Sequence, residues 1–153
     1  MGQRVEAAEL PVVFRRPMRL HAYVLGHSRL VLRGPQDPEE GRTTTVDVEF
    51  ADLGSMSVRD YYPSLTIRFA DAEEEARLRA ADPREWHDWR AFVLETEDGA
   101  NGHVVAGGLH WGESAAPETY DSFLLPWVEL SRFRPEAPAP AEPAVVHSAW
   151  PPR

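Results

Sequence analysis

At 153 residues, 42% of them hydrophobic, the chain has the size of one domain with a real core. It contains neither cysteine nor lysine, which excludes disulfides, thiolate metal centres, a cysteine nucleophile and Schiff-base chemistry. The net charge of −9 is unevenly spread, with six arginines and two glutamates in residues 1–34 but seven arginines against 21 acids in residues 35–130.

Residues 1–17 read as an N-terminal arm. Met1–Glu9 holds two glutamates and no apolar stretch of the kind a secretory leader needs, so a cytoplasmic location is expected. The longest apolar runs, such as Val104–Ala106 and Phe123–Leu125, are far too short to cross a bilayer. A single β-rich domain is expected over residues 18–133. Two short apolar segments, Arg19–Leu25 and Ser28–Arg33, flank Gly26-His27 and predict a hairpin. Gly34–Gly41 is a loop by its prolines and glycines. Thr43–Phe50 alternates without fault, Thr44, Val46, Val48 and Phe50 on one side and Thr43, Thr45, Asp47 and Glu49 on the other, the pattern of a half-buried strand. Leu53–Val58 predicts a further short strand, and Arg59–Ser64 turns the chain into Leu65–Phe69, where Leu65, Ile67 and Phe69 face inward.

Asp71 followed three residues later by Glu74 makes a capping box, and Glu73/Arg77 and Glu75/Arg79 are spaced as helical ion pairs, so a helix is predicted over 72–81. Asp82-Pro83 repeats the start signal and predicts a second helical turn carrying Trp86 and Trp89 on one face. Arg90–Thr96 and His103–Trp111 flank Glu97–Gly102, whose Asp-Gly and Asn-Gly steps predict another hairpin. Tyr120–Leu130 predicts a last strand, at an edge or bulge because Pro126 cannot donate to a ladder. Residues 134–153 are expected to be a proline-rich extended tail, and deleting residues 135–153 is expected to shift the melting temperature by no more than a few degrees, with Trp150 the one residue arguing for docking. Together these elements predict an α+β fold: about seven mostly antiparallel strands in a curved sheet or flattened barrel, with the helical segment 71–89 over one end.

No spacing demands a particular chemistry. Without cysteine, a metal would need histidine and carboxylates, yet His103 and His110 are seven apart and point to opposite faces of one straight strand. His110 and Glu113 could meet only across a bend after Gly112; no metal and no cofactor are expected. In Trp86-His87-Asp88-Trp89 the adjacent His and Asp do not face each other, and the tryptophans read as core anchors. The segment His103–Gly112 resembles a glycine-rich phosphate loop only superficially, because no helix and no Lys-Ser/Thr follow Gly107-Gly108; the glycines instead predict a bulge or a side chain lying against the strand. Ser28, Ser55 and Ser114 lack any nucleophile-elbow context. Tyr61, Tyr62, Trp86, His110 and Trp111 are the residues from which a binding surface or an aromatic-lined pocket would be built.

The runs GHSRLVLRG (Gly26–Gly34), TTTVDVEF (Thr43–Phe50), SLTIRFAD (Ser64–Asp71) and VVAGGLHW (Val104–Trp111) resemble a family of small, β-rich, uncharacterised actinobacterial proteins. In size, acidity and β content the chain also resembles the immunity proteins of bacterial polymorphic-toxin systems, a likeness of type that transfers no residue. It implies a non-enzymatic protein-binding module, an immunity or regulatory protein. The acidic field points to a basic partner and away from nucleic acid, whose phosphates it repels. The alternative is a small-molecule-binding or enzymatic β domain built on the aromatic residues named above.

Overall fold

Period-two alternation of apolar residues becomes strand almost everywhere in the computed structural model, which describes residues 4–24, 28–115 and 145–151. In chain order the elements are β1 (Arg4–Ala7), β2 (Val12–Phe14), β3 (Met18–Val24), β4 (Arg29–Gly34), β5 (Thr45–Ser57), β6 (Tyr61–Tyr62), β7 (Leu65–Phe69), α1 (Ala72–Ala81), β8 (Arg90–Thr96), β9 (Gly99–Ser114) and β10 (Val145–Trp150). The ten described strands form one sheet, eight of them in the order β2-β7-β8-β9-β5-β4-β3-β6. The first half of β9 pairs with β8 and its second half with β10, while β1 extends β10 as the one parallel pair among the described residues. The fold is thus the expected α+β arrangement of a mostly antiparallel sheet with one helix.

One face of the sheet closes over the main core. Leu30 and Leu32 of β4, Val48 and Phe50 of β5, Ile67 of β7, Phe92 and Leu94 of β8 and Leu109 of β9 are all fully enclosed. The sheet curls around them: Phe14 of β2 meets the Trp111 ring of β9 edge to face at 6.0 Å, although two strands separate β2 from β9. Side chains of this kind each contribute about 1.5–3 kcal/mol on burial. On the opposite face α1 and the segment that follows it cover β8 and β9, with Leu78, Trp86 and Trp89 around Ala91 and Val105. The helix begins where its capping box dictates, the Asp71 carboxylate accepting from Glu74 N at 2.8 Å and Glu74 Oε1 accepting from Asp71 N at 3.0 Å.

Several expectations need correction. The N-terminal arm contributes β1 and β2, and the expected tail contributes β10, whose Val146, Ser148 and Ala149 are buried; ladder hydrogen bonds on both sides outweigh the ordering cost of a short segment. Leu53–Val58 is not a separate strand, since β5 runs on through a bulge between Leu53 and Ser55. Residues 82–89 form no helix: Asp82 holds Arg84 by backbone and side-chain bonds, and the Trp89 ring lies flat enough on Gly54 that a methyl group there would come within 2.7 Å of it. The β8–β9 turn is tighter than six residues, because Gly99, at φ 110°, takes a conformation that side chains rarely adopt and pairs directly with Thr96. Asp47 and Glu49, expected on the solvent side of β5, are buried. The hairpin turn at 26–27, the strand at 120–130 and the tail over 134–143 lie outside the described residues. No described helix is long and apolar enough to cross a membrane.

Candidate functional site

The five residues expected to build a binding surface do not converge. Tyr62 and Trp111 are in the main core, the Tyr62 hydroxyl accepting from Arg59 N at 2.9 Å and the Trp111 ring stacked on His147 at 5.7 Å. Trp86 is in the second cluster, with the Arg79 guanidinium 4.4 Å from its ring. Tyr61 is exposed beside Arg19, and His110 projects from the face of β9 opposite to Trp111. His87 and Asp88 are solvent-exposed, as their place between two anchoring tryptophans implies.

His110 instead belongs to a polar row that strand-by-strand reading missed. Ser148 of β10, His110 of β9 and Glu49 of β5 are direct register partners across three strands. His110 Nδ1 lies 3.1 Å from Ser148 Oγ, and that hydroxyl donates to the Pro151 carbonyl at 3.0 Å. With its proton committed to Pro151 and its side chain fully enclosed, Ser148 orients the imidazole and is not poised as a nucleophile. Glu49 accepts from Arg29 at 2.9 Å through one oxygen while the other has no partner, and burial raises its carboxyl above the ordinary range against the opposing pull of Arg29. Beside this row Arg33 and Asp47 form a buried bidentate pair at 2.7 and 2.9 Å. Glu113 accepts from Thr44 and lies on the other face of β9 from His110; among the described residues no three potential ligands gather around a metal position.

A groove of about 330 Å³ lies between α1 and the β8–β9 hairpin. Its floor is a row in register across three strands, Ser57 of β5, His103 of β9 and Val93 of β8. Helical periodicity brings Glu74, Arg77 and Leu78 down one side of α1 to form the roof, and Ala100, Asn101 and Gly102 close the end. Burial pushes the His103 imidazole below its ordinary value, so it is neutral at neutral pH, and it makes no hydrogen bond within the described protein. Asn101 donates both amide hydrogens back into the hairpin, to Thr96 Oγ1 and to the Gly99 carbonyl, so its oxygen is the hydrogen-bonding atom of the amide that the described protein does not use. Glu74 is held ionised at about 2 by two hydrogen bonds from Arg68 and one from Asp71 N. Two other hollows are shallower in chemistry: one of about 470 Å³ around Arg15, Pro17 and Pro63, and one of about 120 Å³ around Arg19, His21 and Pro35. Neither is floored by an unpartnered, half-buried base.

Of the groove residues only His103 reads from the sequence as a candidate for chemistry, and there as a failed metal ligand; Glu74, Arg77 and Asn101-Gly102 read as helix and turn signals alone. Nothing in the chain order announces that Glu74, Ser57 and Asn101 meet there. No protein-family model, no curated protein and no solved structure matches this chain.

Proposed function

We propose that the protein is a non-enzymatic binding module for a basic protein partner, of the immunity or regulatory kind. The observation that carries this reading is how the charges are used. Between residues 35 and 130 five of the seven arginines are held by carboxylates of the domain itself: Arg42 by Asp37, Arg68 by Glu74 and Glu95, Arg77 by Glu73, Arg79 by Glu75 and Arg84 by Asp82. Arg90 is enclosed between the rings of Phe69 and Trp150 at 4.4 and 4.8 Å. Glu39, Glu40, Asp52, Asp60, Asp88, Glu97 and Asp98 are exposed and form no ion pair with an arginine among the described residues. The excess negative charge therefore faces outward, where it steers a cationic partner and speeds encounter. The filled core on the inner face of the sheet supports binding at the surface over enclosure of a ligand.

Isothermal titration with a hexa-arginine peptide at low and moderate salt tests the reading. Binding is expected to weaken at least fivefold on raising salt, and again on reversing charge at Glu97 and Asp98 (E97R/D98R) or Glu39 and Glu40 (E39R/E40R). Absence of binding at low salt, or binding untouched by both reversals, would overturn it.

A further inference from the structure

We propose that the groove between α1 and the β8–β9 hairpin seats one cationic side chain of that partner, an alkylguanidinium or alkylammonium group. This rests on the basic-partner reading and assigns it a place. Leu78 and Val93 supply apolar walls of the kind an arginine or lysine stem covers. Of the polar groups lining the groove, the neutral His103 ring offers a lone pair beside its N–H and the Asn101 amide, its hydrogens already used, can only accept, while the Glu74 carboxylate in the roof, already bonded by Arg68 and Asp71 N, adds negative charge. A cationic head brings only donors, which the His103 lone pair and the Asn101 oxygen can accept.

The surroundings have the same sign. Glu73, Glu74 and Glu95, with Glu97 and Asp98 in the closing hairpin, outnumber Arg68 and Arg77. Arg77, the one cation lining the groove among the described residues, is drawn outward to Glu73 at 3.1 Å with two thirds of its side chain in solvent. An anionic ligand would meet this field as repulsion, a cation as attraction.

The sign of the pH effect separates the two. Protonating His103 removes an acceptor and adds a positive charge, so a cation must bind more weakly as pH falls through the titration of His103, whereas an anion would bind more tightly. Glu74 stays ionised over that range. The probe is N-acetyl-arginine amide, followed through the His103 ring and the Ala100–Gly102 amides by NMR on the full chain. We expect saturable shifts at pH 7.5, affinity at least threefold lower once the His103 ring signals show it protonated, and loss of at least fivefold in His103→Leu. His103→Gln, which keeps an acceptor oxygen and cannot titrate, should retain binding and lose the pH dependence. In the same titrations hexa-arginine should lose affinity in His103→Leu.

Groove signals that move with acetate but not with the arginine probe, or affinity that rises toward pH 5, would overturn the assignment. Tighter binding of spermidine than of hexa-arginine would make this a free-amine site and overturn the protein-partner source. Hexa-arginine binding unchanged by His103→Leu, with groove signals still, would remove the groove while leaving the basic-partner reading intact. No hexa-arginine binding in any variant would remove that reading itself.

Discussion

The Arg33–Asp47 pair shows how much one residue can carry in this fold. Both side chains are almost wholly enclosed, at 3% and 0% exposure, and two parallel hydrogen bonds join them across β4 and β5. Two ions removed from water are tolerated only while each has the other. Asp47→Asn removes the carboxylate charge that Arg33 bonds at two points inside the fold, and a loss of about 3–5 kcal/mol in urea unfolding is expected. A loss below about 1 kcal/mol would mean that water reaches the pair. The same logic explains why alternation in Thr43–Phe50 was legible while its meaning was not. The pattern separates two faces, but a carboxylate on the second face can be buried when arginine from the neighbouring strand is in register with it, as Arg33 is with Asp47.

At the scale of elements, α1 is held by its first turn. It has no fully buried residue, so packing contributes less than its capping box and the Arg68–Glu74 pair. Glu74 titrates at about 2 in the folded protein, below the ordinary carboxylate value of about 4.3. A depressed carboxyl stabilises fully above its unfolded value and loses that contribution as pH falls toward the folded one. Glu74→Gln should therefore melt below the unsubstituted protein at pH 6, with the difference shrinking toward pH 2. Parallel curves over that range would exclude Glu74 as the source. The start and approximate span of this helix were readable because caps and i,i+4 ion pairs are local. The second helical turn was not, because Trp89 finds Gly54, some 35 residues earlier in the chain, and that contact fixes the 82–89 path.

For the whole molecule the decisive segment is β10. It pairs with β9 on one side and β1 on the other, and Trp150 covers Arg90 while its indole N–H donates to the Asp88 carbonyl at 2.9 Å. Removing residues 145–153 would strip a ladder from β9, orphan β1 and uncover Arg90 at once. A fall in melting temperature of more than ten degrees is expected, in place of the few degrees that composition suggested; differential scanning calorimetry of full-length and shortened chains decides it. A change within three degrees would mean that β10 adds nothing to the stability of the sheet.

The sequence by itself determined what is local: the mostly antiparallel β class, the inward faces of β5 and β7, the span of α1 and the acidic balance of residues 35–130. Each follows from alternation, capping or charge count, which act within a few residues. The tertiary structure decided which polar residues are buried together, where the terminal segments pair, and that Ser57, Glu74, Asn101 and His103 surround one groove. Those facts depend on strand register between segments tens of residues apart, and a one-residue slip would turn His103 from the groove toward the core.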